Sequence, residues 1–236
     1  MVVQPCMPLR PYQEQAIASV RIAVMQTDKA LLVMPTGSGK TVVFSEICRL
    51  ACDKKRKVLI LVHRRELVKQ ASDKLSKAGV EHGIIAAGFD PSDHPVQVAS
   101  VQTLIRRLNS GPFRPDLIII DEAHHAVAGS WDKIIGHFSD AKIIGVTATP
   151  SRLDGRGLGS HFSTLVSGPS VAQLTKLGFL SQHRVFAPPV IADLSNVKTR
   201  AGDYANDQLS EAMDRPTVTG DAVSHYRRLA DGLPAI

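Results

Sequence analysis

Short, nearly continuous apolar runs alternate with amphipathic stretches along the first 150 residues. The apolar runs fall at 30–34, 58–62, 83–87, 96–99, 117–120 and 142–146. Continuous rather than alternating hydrophobicity is the mark of strands buried on both faces. The segments between them, 13–26, 40–52, 64–77, 101–108 and 131–138, carry helical periodicity. Strand and helix in alternation predict βαβ units, hence a mostly parallel sheet with helices on both faces. The rhythm changes after about residue 150. Gly155, Gly157 and Gly159 predict a loop, 170–177 a helix, and Gly178 its stop. Residues 186–220 are mixed and polar, with Pro188, Pro189 and Pro216 as breakers. A last helix is expected over 220–229. The closing Leu233-Pro-Ala-Ile236 reads either as the entry to a further strand or as a frayed terminus. We therefore expect a domain over 1–185 and a linker segment over 186–236.

Composition narrows the class. No apolar run approaches the ~20 residues of a membrane span, so no membrane is expected as a partner. The N-terminus has no basic flank before an apolar stretch, so no secretory signal is expected. Cys6, Cys48 and Cys52 are too few for a disulfide framework and lack zinc spacing. A soluble, reducing, cytoplasmic setting is the expectation. The net charge of +6 favours a polyanionic partner without establishing one.

Two segments carry candidate chemistry. Met34-Pro-Thr-Gly-Ser-Gly-Lys-Thr41 follows a predicted strand and opens a predicted helix. Glycines let such a loop curl its N–H groups inward, and the helix N-terminus adds positive charge for phosphate. Lys40 is placed to reach the β- and γ-phosphates, and the Thr41 hydroxyl to ligate Mg²⁺. The strict pattern has glycine where this chain has Met34. A plainer reading is a glycine-rich turn that binds nothing.

Leu117-Ile-Ile-Ile-Asp-Glu-Ala-His-His125 is an apolar strand ending in two carboxylates at the ligand edge of an open sheet. Asp121 is placed to hold Mg²⁺ through water, and Glu122 to orient and deprotonate an attacking water. The plainer reading of the pair is an acidic helix cap. His124 and His125 have no further ligand at metal spacing, and a relay role suits them better.

Asp121-Glu-Ala-His124, with Gly37-Ser-Gly-Lys-Thr41 and Thr147-Ala-Thr-Pro150, resembles a superfamily 2 helicase of the DEAH-box type. Further segments follow the family's order. Leu9-Arg-Pro-Tyr-Gln13 is similar to the adenine-reading motif. Leu61-Val-His-Arg-Arg-Glu-Leu67 resembles motif Ia, and Ala99-Ser-Val-Gln-Thr103 motif Ib. Leu177-Gly-Phe-Leu180 resembles the segment that ends the first lobe. Within the superfamily the likeness is to the group of RadD-like helicases and restriction-enzyme helicase subunits.

The resemblance implies a RecA-like P-loop NTPase lobe with ATP and Mg²⁺ as cofactors. It implies that Gln13 pairs with the adenine edge and that Arg10 packs near the base. Thr36, Gly37, Ser38, Gly39, Lys40 and Thr41 form the Walker A cradle. His124, Thr147 and Thr149 couple nucleotide state to a nucleic-acid groove. Arg64, Arg65, Ser100 and Thr103 touch a strand's phosphates, contacts that give affinity without reading sequence. A solvated first helical turn is the plainer reading of Arg64 and Arg65, although two cations there oppose the helix dipole. Lys54-Lys-Arg-Lys57 reads as a solvated turn. Aromatic residues at 5% offer no evident base-stacking platform.

The family's motor has two lobes, and the second supplies arginines to the transferring phosphate. Such an arginine contributes about 10³–10⁵ in rate. No Gln-x-x-Gly-Arg-x-x-Arg sequence occurs in this chain, and Arg152 and Arg156 are not replacements. The expected function is an ATP-dependent DNA helicase or translocase present as its ATP-binding first lobe. Hydrolysis is expected to be weak without a second lobe in cis or trans, and DNA is favoured over RNA by the subgroup. The alternative is a non-catalytic module, a split helicase subunit that binds nucleic acid or docks on a partner. An unrelated P-loop kinase or GTPase is disfavoured by Gln13 and by the Thr-Ala-Thr sequence.

Overall fold

The computed structural model describes residues 8–63, 65–109, 113–125, 129–150, 158–182, 193–200, 203–214 and 216–232. Arg64, Arg152, Gly155, Arg156, Gly157, Pro188, Pro189 and the terminal residues 233–236 lie outside them, as do the side chains of Arg65 and His125. The chain divides into two compact units, Met1–Ser181 and Gln182–Ile236.

The first unit is built on a seven-stranded sheet: β1 (Lys29–Val33), β2 (Val58–Val62), β3 (Gly83–Ile85), β4 (Val96–Ser100), β5 (Leu117–Asp121), β6 (Lys142–Thr147) and β7 (Thr164–Ser167). Their spatial order is β3-β4-β2-β5-β6-β1-β7, and every neighbouring pair is parallel. The α/β class expected from the pattern is what the chain adopts.

The strands are apolar throughout because each of their faces meets a different core. Val58, Ile60 and Val62 of β2 pack into one cluster, while Leu59 and Leu61 pack into the other. Helices α1 (Pro11–Thr27), α2 (Lys40–Asp53) and α3 (Arg65–Lys77) cover the first face, joined by Leu174 of α6 (Val171–Lys176). Helices α4 (Val101–Arg107) and α5 (Ser130–His137) cover the second, where Trp131 is 1% exposed.

Helix α6 ends as Gly178 predicts. Gly178 adopts φ 74°, the Gly178 N–H donates to the Thr175 carbonyl at 3.0 Å, and the Phe179 N–H donates to the Leu174 carbonyl at 2.9 Å. This is the Schellman arrangement, which satisfies the last carbonyls of a helix and needs a left-handed residue. The basic run 54–57 is an exposed turn, as expected. Within it the Arg56 guanidinium and the Lys57 N–H both bind Asp116 at 2.8 Å.

Three regions depart from the expectations. Strand β7 was not anticipated: it is four residues long, lies at the sheet edge and alternates partly buried with exposed positions. A single half-covered face leaves too little hydrophobicity to stand out. In the second unit, a short antiparallel pair, β8 (Thr199–Arg200) with β9 (Asp203–Tyr204), precedes α7 (Asn206–Met213) inside the stretch read as irregular. Helix α8 (Pro216–Ala230) begins at Pro216 rather than near residue 220. Proline at the first helical position starts a helix, because its missing N–H would have no partner there.

Candidate nucleotide site

Three strands place the candidate chemistry side by side. In the parallel register Val33 of β1 lies opposite Thr147 of β6, and Asp121 of β5 lies opposite Val146 of β6. The loop after β1, the Asp121–Glu122 pair and the Thr147–Thr149 segment therefore leave the same edge of the sheet at adjacent positions. Carboxyl ends of parallel strands are where open α/β sheets bind ligands.

The loop after β1 is shaped by its glycines. Gly37 adopts φ 80° and Gly39 φ 81°, a region that a side chain disfavours. Ser38 is fully buried, and its hydroxyl donates to the Pro35 carbonyl at 2.6 Å. Lys40 and Thr41 begin α2, where first-turn N–H groups have no intrahelical acceptor. Met34, standing where the strict pattern has glycine, is fully buried and donates its N–H to the Thr147 carbonyl at 2.9 Å. It thus belongs to the strand and core rather than to the cradle.

The start of α1 clasps this loop from outside. The Tyr12 hydroxyl and the Gln13 side-chain amide both donate to the Ser38 carbonyl, at 2.9 and 3.1 Å. The Gln13 amide oxygen accepts from the Arg10 N–H at 2.9 Å, and Gln13 is 4% exposed. The amide keeps one N–H and one lone pair beyond these bonds. A Cβ on Gly39 would fall 2.5 Å from the Gln13 amide nitrogen, so the loop approaches the glutamine as closely as backbone allows. Sequence reading placed Arg10 and Gln13 at the base but missed Tyr12 as a support for the loop. A tyrosine directly before that glutamine is the only local signal for it.

Asp121 and Glu122 stand at the carboxyl end of β5. Burial, reinforced by the neighbouring Glu122 charge, holds the Asp121 carboxyl above the usual carboxylate range, against the opposing pull of Lys74, the Glu122 N–H and Lys40. The Asp121 carboxylate accepts from the Glu122 N–H at 3.0 Å. Glu122 adopts φ 49°, a left-handed conformation that costs a non-glycine residue about 1 kcal/mol or more. Its buried Oε2 has no hydrogen-bond partner among the described residues and lies 3.4 Å from His124 Nδ1.

His124 Nδ1 is also 2.9 Å from the Thr147 hydroxyl. That hydroxyl donates to the Thr149 carbonyl at 2.9 Å and accepts the Thr149 N–H at 3.1 Å. Glu122, His124, Thr147 and Thr149 thus form one continuous chain of contacts, from the carboxylate pair to the loop after β6.

Ser100 and Thr103 lie elsewhere on the same edge. Ser100 is opposite Val62 in the β2–β4 register and caps α4, accepting the Thr103 N–H at 3.3 Å. The Ser100 hydroxyl donates to the Thr103 hydroxyl at 2.9 Å, so the Thr103 proton remains for an outside acceptor. Arg65 opens α3, and its side chain is outside the described residues.

The family described as Type III restriction enzyme, res subunit, matches residues 6–152. IRC3 of Saccharomyces cerevisiae, named as an ATP-dependent helicase, is 39% identical over 92% of this chain and 34% of its own length. A 51.5 kDa protein of a Lactococcus phage is 34% identical over 87% of this chain and 42% of its own length. The chain therefore spans about two fifths or less of the length of these relatives. Among solved structures, the helicase domain of Pyrococcus furiosus Hef is 25% identical with a TM-score of 0.58, covering 71% of this chain and 39% of that one. No helix among the described residues is long and apolar enough to cross a membrane. With its parallel sheet, its three segments at one edge and these relatives, the chain belongs to the superfamily 2 helicases, and it carries the first RecA-like lobe.

Proposed function

We propose that this chain is the ATP-binding first lobe of an ATP-dependent DNA helicase or translocase. The observation that carries the reading is the register of β5, β6 and β1, which sets a phosphate-type loop, two carboxylates and a threonine loop at adjacent strand ends. Thr36, Gly37, Ser38, Gly39, Lys40 and Thr41 form the Walker A cradle for the triphosphate. Arg10 and Gln13 face the base. The Asp121-Glu122-Ala-His124 sequence is the DEAH box.

The donor set suits Mg²⁺. A hydroxyl at Thr41 and a carboxylate at Asp121 are hard oxygen ligands, and Asp121 stands in a buried site beside a second carboxylate that a cation would relieve. When bound, the ion neutralises charge on the phosphates. Glu122 orients the attacking water and accepts its proton. Its strained backbone, and an Oε2 that accepts no hydrogen bond among the described residues, are features of a group held ready for a reactant. His124, Thr147 and Thr149 pass the state of that site to the loop after β6.

Arg64, Arg65, Ser100 and Thr103 serve as contacts to a nucleic-acid backbone. The likeness to restriction-enzyme subunits favours DNA. A second RecA-like lobe, in cis or trans, supplies the remaining charge on the transferring phosphate. Residues 186–236 form the linker that leads toward it.

The test is ATP hydrolysis by this chain with and without single-stranded DNA, beside Glu122→Gln. Slow hydrolysis that DNA stimulates and Glu122→Gln abolishes supports the enzyme. ATP-Mg²⁺ stabilisation with no turnover in any condition assigns the chain to a non-catalytic, split-subunit role. No response to ATP at all rejects the nucleotide site.

A further inference from the structure

The segment that ends the first unit returns to the nucleotide site at two points. Gly178 fixes its path, because the left-handed turn there makes the next residue reverse over α6. The Phe179 and Leu180 N–H groups both donate to the carbonyl of Leu174, a fully buried core residue. The two side chains are thereby held against the core while facing the loop they serve.

Phe179 meets the base end of the site. Its ring lies 5.2 Å from the Tyr12 ring, and the Arg10 guanidinium sits over it at 4.6 Å from the centroid. Arg10 Nη1 also donates to the Tyr12 hydroxyl at 3.2 Å. A guanidinium is planar and stacks on aromatic faces. With one face on Phe179, its other face is a flat cationic surface beside Gln13. Leu180 meets the phosphate end. Its Cδ2 lies 2.9 Å from the point a Gly37 Cβ would occupy, so it abuts the left-handed turn of the cradle.

We propose that Phe179 and Leu180 are positioning residues of the nucleotide site: Phe179 sets the Arg10 guanidinium as a shelf for the purine ring, and Leu180 sets the Gly37 turn for the phosphates. The proposal rests on the nucleotide reading above and adds two residues to it that touch the site from behind. Ser181 closes the first unit, so the grip on the nucleotide and the exit of the chain share neighbouring residues.

Calorimetric titration of the full chain with ATP-Mg²⁺ and with tripolyphosphate-Mg²⁺ separates the two ends. Phe179→Leu keeps an apolar side chain in place and removes the ring. It is expected to weaken ATP about tenfold, the scale of one cation–π or stacking contact, and to leave tripolyphosphate within about twofold. Phe179→Tyr restores the ring face and binds ATP as the parent does. Leu180→Ala weakens both ligands together. Equal losses of both ligands in Phe179→Leu, no loss in either, or failure of Phe179→Tyr to restore ATP binding overturns the role of Phe179. Unchanged binding in Leu180→Ala overturns that of Leu180. A parent chain that binds neither ligand overturns the nucleotide reading and the proposal with it, whereas a parent that binds while the variants behave as just described overturns the proposal alone.

Discussion

The two halves of one sheet edge are built on different principles. At the ends of β5, β6 and β1, side chains bond across elements: Tyr12 and Gln13 to the Ser38 carbonyl, and His124 to Thr147. Left-handed backbone occurs there at Gly37, Gly39 and Glu122. At the ends of β2 and β4, the described polar groups serve the local chain: Ser100 caps α4 and bonds Thr103 three residues on. The first half holds a geometry that no single element would keep alone. The second offers hydroxyls on an ordinary helix start, which suits phosphates met along any sequence. A site that must align reacting atoms needs the cross-linked kind, and a site that only holds a backbone does not.

The sharpest way to break this contrast is Lys40→Ala. ATP-Mg²⁺ is expected to raise the melting temperature of the parent and to leave that of the variant unmoved, with the unliganded fold intact. Equal stabilisation of both would remove the cradle from the built half.

Thr147→Val comes next. It removes a fully buried hydroxyl and leaves His124 Nδ1 and the Thr149 N–H without that partner. A loss of about 1–3 kcal/mol in urea unfolding is expected, with ATP binding retained and any DNA response lost. A loss below about 0.5 kcal/mol would mean that the contact chain is incidental.

On the other half, Ser100→Ala should cost about 1 kcal/mol of stability, the value of a helix cap. It should also weaken DNA at low salt, though less than Thr103→Val, which removes the hydroxyl proton left for an outside acceptor at little cost in stability. Were Ser100→Ala to weaken DNA as much as Thr103→Val does, the two hydroxyls would have to be treated as one contact.

The smallest effect is a control far from both halves. At Asp116, partial burial raises the carboxyl pKa, but the Lys57 N–H and the Arg56 guanidinium outweigh it and hold the group below its ordinary value. A lowered folded pKa means stability that is present above the unfolded value near 3.9 and lost as pH falls through the folded one. Asp116→Asn should cost less than about 1 kcal/mol at neutral pH and flatten that acid limb. A variant that changed ATP or DNA binding would tie this turn to the sites.

The strands that the sequence reveals are those buried on both faces. β2 and β5 are continuous apolar runs because no register of a two-sided strand leaves a polar position free. β7 pairs on one side only, so its four residues carry no such run. Likewise the candidate chemistry is legible where residue type and spacing alone define it, as in Gly37–Thr41 and Asp121–Glu122. It is illegible where distant residues meet. Nothing near Phe179 in the chain announces Arg10, and nothing near Tyr12 announces Ser38. Ser100 is a middle case: a hydroxyl before a helix reads equally as a cap and as a phosphate contact, and the bond from the Thr103 N–H identifies the cap.

The strand order has a consequence in time. β1 leads into the loop proposed to hold phosphates, yet both its neighbours, β6 and β7, come from the far side of the unit: residues 142–147 and 164–167. During synthesis β1 leaves the ribosome before either of its partners and waits unpaired until residues 142–147 have followed. Pairings so distant in sequence form slowly, since long loops must close before contacts reward them. A nascent chain can thus assemble β2, β4 and β5 early, whereas the nucleotide site proposed above is complete only once the segment through Leu180 is made. On the proposed reading, the order of the strands delays nucleotide binding until the unit that would use it is complete.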